Sequence, residues 1–134
     1  MARISEIEGI GPAYGEKLSA AGINTTDKLL KKGAKPSGRK AIAKETGISE
    51  QKILQWVNHA DLFRIKGIGP EYAELLEVSG VNTVLQLARR NPENLLDKMA
   101  ATNAKKKLVR KLPTASQVAS WVNQAKDMPR VIEY

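Results

Sequence analysis

The 134-residue chain contains no cysteine, a single histidine and few aromatic side chains: one Phe, two Trp and three Tyr. Without cysteine there is no disulfide, no thiol nucleophile and no cysteine-bound zinc, and His59 alone cannot assemble a histidine metal site. An aromatic content of 4% argues against a platform on which single-stranded bases stack. No run of about 18 apolar residues is present, so no segment reads as a membrane-spanning helix, and Met1-Ala2-Arg3-Ile4-Ser5-Glu6 lacks the apolar stretch of a signal peptide. The expectation is a cytoplasmic protein with no metal, no cofactor and no membrane partner. Nucleophile elbows and Walker loops are missing too, and Gly9-Ile10-Gly11 lacks the strand that must precede a dinucleotide fingerprint. A DNA glycosylase would need a base pocket with a catalytic Asp or Lys, for which no segment is spare. The chain therefore reads as a non-enzyme.

Acidic residues are also in short supply. The 14 Asp and Glu face 22 Lys and Arg, which leaves a net charge of +8 and a pI near 9.8. Such an excess favours a polyanionic partner in a non-specific way without naming one. The positive charge is clustered: Lys28, Lys31, Lys32, Lys35, Arg39, Lys40 and Lys44 follow one another with no acid between them, and Lys105, Lys106, Lys107, Arg110 and Lys111 form a second run. Runs of this kind suit a face that tracks phosphates. They also serve simply to solvate a helix, and both readings stand at this point.

The chain does have an internal repeat. Ile7-Glu8-Gly9-Ile10-Gly11-Pro12-Ala13-Tyr14 returns as Ile65-Lys66-Gly67-Ile68-Gly69-Pro70-Glu71-Tyr72. Aligned without gaps from these points, the two copies share Ile7, Gly9, Ile10, Gly11, Pro12, Tyr14, Glu16, Leu18, Gly22, Asn24, Thr25 and Leu29. The match resumes at Gln55-Trp56-Val57-Asn58-His59-Ala60 and Ser120-Trp121-Val122-Asn123-Gln124-Ala125. Repetition on this scale marks two copies of one structural unit, residues 1–63 and 64–134.

Each copy reads as a helix-hairpin-helix. Gly-Ile-Gly supplies residues that accept positive φ in a tight turn. Pro12 and Pro70 open the next helix, where a fixed φ helps and no N–H is missed; Gly22 and Gly80 close it. Further helices follow, through Leu29 and Leu30, through Ile42, and across each tryptophan, so the fold class is all-α: two fused helix-hairpin-helix repeats of about four to five short helices each, in one compact body. Trp56 and Trp121 share helix faces with Ile53 and Val57 or with Val118 and Val122, and read as core. The Trp56 helix is expected to run on through Phe63 into the second hairpin, with Val131 and Ile132 covering an open end.

A glycine hairpin leaves backbone amides exposed at a helix N-terminus, with the positive end of the helix dipole behind them. Phosphate binds such a place without any base being read. The candidate phosphate contacts are Gly9, Ile10, Gly11, Ala13 and Lys17, with Lys31, Lys32, Lys35, Arg39 and Lys40 from the first basic run. Gly67 and Gly69 are the counterparts in the second copy, and Lys105, Lys106, Lys107, Arg110 and Lys111 form a further contact. Glu71, Glu74 and Glu77 make the second hairpin a poorer anion site. The alternative is that both hairpins only pack helices together.

Gly9-Ile10-Gly11-Pro12, Glu16-Lys17-Leu18, Ala21-Gly22 and Gly47-Ile48-Ser49-Glu50 resemble the N-terminal helical domain of archaeal recombinases and related helix-hairpin-helix DNA-binding modules. The full string from Ile7, with Trp56 to Ile65, Arg90 to Leu95 and Lys106 to Pro113, resembles a bacterial family of small tandem helix-hairpin-helix proteins of unknown function. The resemblance implies the fold and leaves the biology open. The expected partner is DNA, double-stranded and without sequence preference; the rival is an assembly module that takes an acidic protein partner. Oligomeric state is not readable.

Overall fold

Caps and prolines divide the chain into helices. In the computed structural model, which describes residues 3–134, a 3₁₀ turn at Ile4–Glu6 is followed by α1 (Gly11–Ala20), α2 (Thr26–Gly33), α3 (Pro36–Thr46) and α4 (Glu50–Leu62). Then come α5 (Pro70–Val78), α6 (Val84–Ala88), α7 (Pro92–Lys106) and α8 (Ala115–Lys126). Met1 and Ala2, which carry part of the leader expectation, lie outside the described residues. Among the described residues there is no strand, only one isolated bridge between Arg3 and Thr25. The class is all-α.

The helix starts follow from local chemistry. Proline occupies the first positions of α1, α3, α5 and α7. Thr25, Thr83, Asn91 and Thr114 each accept a hydrogen bond from the amide three residues on, at 3.0–3.2 Å; an N-cap of this type contributes about 1 kcal/mol. Ser49 caps α4 in the same way, accepting from the Lys52 amide at 3.2 Å. The stops are equally local. Gly22 (φ +83°) and Gly80 (φ +96°) turn the chain after α1 and α5. The next residue then bonds back, Ile23 N–H to Leu18 O and Val81 N–H to Leu76 O, both at 2.8 Å. All four side chains are buried, which is the apolar contact that accompanies this C-terminal motif.

Two compact units result: residues up to Asp61 together with Val131–Tyr134, and Leu62–Arg130. In the first, Ile7, Ile10, Leu18, Ile23, Leu29 and Ile53 are among the fully buried side chains, and α2 lies against α3 so closely that Gly38 has no room for a side chain beside the Lys32 carbonyl. In the second, Leu75, Leu76, Leu87, Leu95, Met99 and Val118 pack with Trp121. Each tryptophan lies inside its core, Trp56 at 2% and Trp121 at 1% exposure.

Three sequence expectations change. The segment before the first glycine turn is a 3₁₀ turn rather than an α-helix, because Ile4 and Ile7 are buried three residues apart and Ile7 N–H bonds to Ile4 O. α4 stops at Leu62 instead of running through Phe63, and Ile65 N–H closes the turn on Leu62 O at 3.1 Å. Residues 131–134 leave the second half and join the first unit, where Glu133 N–H donates to Ala34 O at 2.7 Å and Ile132 is buried.

The two glycine turns share a sequence but not a conformation. Gly9 (φ +90°) and Gly11 (φ +59°) are both left-handed, whereas in the second turn only Gly67 is (φ +101°), and Gly69 is extended at φ −103°, ψ −170°. A Cβ on Gly67 would lie 2.8 Å from Trp121 Nε1, whereas one on Gly69 meets nothing within 4 Å. Gly67→Ala should therefore lower stability by about 1–3 kcal/mol through overpacking and left-handed strain. Gly69→Ala should change it by less than about 0.5 kcal/mol, the two compared by urea midpoints.

Candidate nucleic-acid interface

Buried isoleucines fix the first glycine turn. Ile7 and Ile10 are each 1% exposed, and Ile10 N–H donates to Ile7 O at 3.3 Å. Ile10 therefore spends both its side chain and its amide on the turn, and is no phosphate contact. Gly9, Gly11 and Ala13 are exposed. The Gly11 and Ala13 amides fall in the first turn of α1, where a helix supplies no partners of its own, and neither donates to an acceptor among the described residues. A Cβ on Gly11 would meet open space.

Two lysines stand over the tyrosine that follows this turn. Tyr14, on the first turn of α1, packs on Trp56 with ring centroids 5.2 Å apart. The Lys17 ammonium lies 6.0 Å and the Lys52 ammonium 5.2 Å from the Tyr14 ring centroid. Arg3 and Gly11 line one open groove with Ser5, Pro12, Glu16 and Asn24; Asn24 Oδ1 in turn accepts from Lys28 Nζ at 3.0 Å. Lys52 and Arg3 were absent from the residues that the sequence singles out. Lys52 was findable: it precedes Trp56 by four, one helical turn, on the face that packs toward the hairpin.

The first basic run divides into exposed and engaged side chains. Lys31, Lys35, Lys40 and Lys44 are exposed on α2, at the start of α3 and along it. Lys32 reaches the other end of α1 from Gly11, donating to Ala21 O at 3.4 Å, about 15 Å away for a ten-residue helix. Arg39 is withdrawn from the surface altogether. It is 6% exposed, and its guanidinium donates to Gly33 O at 2.9 Å, Ala34 O at 3.1 Å and Glu133 O at 2.8 Å. Two of these carbonyls lie at the end of α2 and the third belongs to the segment packed against it, so Arg39 works as an internal cap and is removed from the candidate interface.

The second unit repeats the scaffold with different chemistry. Tyr72 and Trp121 pair at 5.2 Å. Gly67 is exposed and Gly69 half-buried, yet Glu71 stands in the first turn of α5 where Ala13 stands in α1, and Glu74 and Glu77 follow along it. The counterparts of Lys17 and Lys52 are Leu75 and Gln117, which replace two cations with neutral groups. Gln124 clamps this turn at Lys66, accepting from its N–H at 2.8 Å and donating to its O at 3.1 Å.

The second basic run is an ordered loop. Lys105 and Lys106 end α7, and Lys107, Arg110 and Lys111 follow, all exposed. Asn103 brackets the loop, donating to Val109 O at 3.1 Å and accepting from Val109 N–H at 3.0 Å, while Tyr72 Oη donates to Lys111 O at 3.0 Å. Lys107 has φ +53°, the one non-glycine among the described residues in the left-handed region. Among those residues no group of three His, Cys, Asp or Glu is placed to hold a metal, and no helix is long and apolar enough to cross a membrane.

A protein-family model described as Domain of unknown function (DUF4332) matches residues 8–128. No curated protein and no solved structure matches the chain.

Two stability changes follow from this geometry, both measurable by chemical denaturation. Arg39→Met should lower stability by about 2 kcal/mol or more, because three carbonyls lose a charged donor, whereas Lys40→Ala should stay within about 0.5 kcal/mol. Lys107→Gly should raise stability by about 0.5–1 kcal/mol, relief of left-handed strain outweighing the entropy of glycine.

Proposed function

The chain belongs to the DUF4332 family, and we propose that it binds the sugar-phosphate backbone of double-stranded DNA with little sequence preference. On this reading Gly9 to Ala13 and the flanking helices act as a helix-hairpin-helix, and a phosphate oxygen accepts from the Gly11 and Ala13 amides. The observation that carries it is that pair of exposed donors at the positive end of α1, with Lys17 and Lys52 over the ring of Tyr14 in the same first turn. Lys31, Lys35 and Lys40 extend the positive surface, and Lys105, Lys106, Lys107, Arg110 and Lys111 give a second contact. No base edge is read, so affinity comes mainly from counterion release. The role is non-catalytic and cytoplasmic. Gly67 and Gly69 contribute less, because Glu71 places a carboxylate where the anion would sit.

One observation favours a second reading. The acidic face of α5, with Glu71, Glu74 and Glu77, suits a protein surface better than a phosphate, which fits an assembly module whose turns are structural.

The test is fluorescence anisotropy of a labelled random duplex at 50 and 200 mM salt. Contact with about six phosphates should give a slope of log K against log salt of roughly −5. Gly11→Asp places a carboxylate over the amides in a left-handed conformation that Asp tolerates, and should cost at least about tenfold in affinity. Gly11→Asn, neutral and of the same shape, should stay within about threefold. Lys52→Glu should weaken binding more than Gln117→Glu. No binding by the unaltered chain at 50 mM salt would reject the proposal in favour of the protein-partner reading.

A further inference from the structure

The segment Val131–Tyr134 is held in a way that resembles a bound peptide more than a chain end packed by chance. Glu133 is gripped through its backbone on both sides: its N–H donates to Ala34 O at 2.7 Å and its O accepts from Arg39 Nη2 at 2.8 Å. The residues on either side supply side chains. Ile132 is 2% exposed; Tyr134 Oη donates to Asn58 Oδ1 at 3.2 Å, and its ring lies 6.0 Å from the Arg39 guanidinium. The seat is prepared by the fold of the first unit. Arg39 is oriented by Gly33 O and Ala34 O, and Gly33 lies so near Val57 that a Cβ there would be 2.6 Å from Cγ2. One backbone donor, one backbone acceptor, a buried aliphatic and a flanking aromatic form a recognition pattern for an extended segment.

We propose that the first unit carries a binding site for an extended Ile-x-Tyr segment, filled by residues 131–134 of the same chain and open to the same segment of a second copy. Every bond in the seat is made by backbone or by side chains that each copy carries, so exchange loses none of them. The connector is short: Asp127, Pro129 and Arg130 are exposed, Pro129 O accepts a bond from Arg64 Nη2 at 3.0 Å, and the segment beyond is only four residues long. Within one chain the segment competes at an effective concentration in roughly the millimolar range, which keeps the exchanged form minor until the internal segment is weakened.

The experiment uses the full chain with Ile132→Asp and Glu133→Pro, which removes the buried aliphatic and the donating N–H while leaving the seat intact. A fluorescein-labelled peptide with the sequence of residues 128–134 is titrated by anisotropy. The variant should bind it at least tenfold more tightly than the unaltered chain, and Arg39→Ala added to the variant should abolish that gain. Equal binding by all three, or none by a variant whose circular dichroism shows it folded, overturns the site. If the double variant unfolds, Glu133→Pro alone, which leaves Ile132 in place, is read by the same criteria. Sedimentation of a mixture of the Arg39→Ala chain, with its segment intact, and the double variant, with its seat intact, should give a 1:1 pair. A peptide that binds while the two chains sediment separately overturns exchange between copies.

Discussion

Each glycine turn depends on a tryptophan that arrives from far along the chain. Trp56 Nε1 lies 3.7 Å from where a Cβ of Gly9 would be, and Trp121 Nε1 lies 2.8 Å from that of Gly67. Each indole also holds the tyrosine on the helix that follows its turn, at the same 5.2 Å centroid separation. One side chain thus fixes the turn and the direction of the helix leaving it. Losing a buried tryptophan typically costs about 3–5 kcal/mol, a large share of the stability of a small unit. The amide face of Gly11 and Ala13 consequently exists only when α4 is in place, although every residue of the turn is local in sequence.

On that shared scaffold the two units differ in charge. The positions of Ala13, Lys17 and Lys52 hold Glu71, Leu75 and Gln117 in the second unit, so a neutral-to-cationic surface becomes an acidic one without any change in the packing aromatics. Charges near a helix N-terminus shift an anion's binding by about 0.3–1 kcal/mol each, so these three changes would together disfavour an anion at the second turn by about 1–3 kcal/mol, while Lys66 in place of Glu8 acts in the opposite direction. The backbone differs as well, left-handed at Gly11 and extended at Gly69. Arg39 adds a restriction on counting charge: a guanidinium that already satisfies three carbonyls contributes to net charge and nothing to a partner surface.

Much of the fold was readable because its signals are local. Pro36, Pro70 and Pro92 at helix starts, Thr25 and Ser49 as caps, and Gly22 and Gly80 as stops place α2, α3, α4, α5 and α7 to within a few residues. The buried tryptophans follow from helical spacing. What the sequence hides is set by distant partners. Nothing near Arg39 announces that Glu133 supplies a carbonyl to it, so it reads as one more cation in a basic run. Identical Gly-Ile-Gly-Pro strings adopt different φ at their second glycine, a difference that no local rule distinguishes. Lys52 escaped notice for another reason, since an isolated lysine outside the basic runs draws attention only once Trp56 is known to pack on the turn.

The ends of α3 and α7 provide a controlled comparison. Both helices stop on a left-handed residue whose N–H bonds back four residues at 2.8 Å, Gly47 to Ala43 O and Lys107 to Asn103 O. Glycine does this without steric cost, whereas a lysine costs about 1–2 kcal/mol. Asn103 offsets part of that cost through its two bonds to Val109, and Tyr72 fixes the far end at Lys111. A structural role would be filled better by glycine at Lys107, as it is at Gly47. The strained choice has one chemical consequence that glycine lacks: an unbroken line of charge from Lys105 to Lys107, held in a loop that is already ordered. Strain of this kind, kept where relief would be simple, is the feature of the second unit that favours the proposed polyanion contact in spite of the acids on α5.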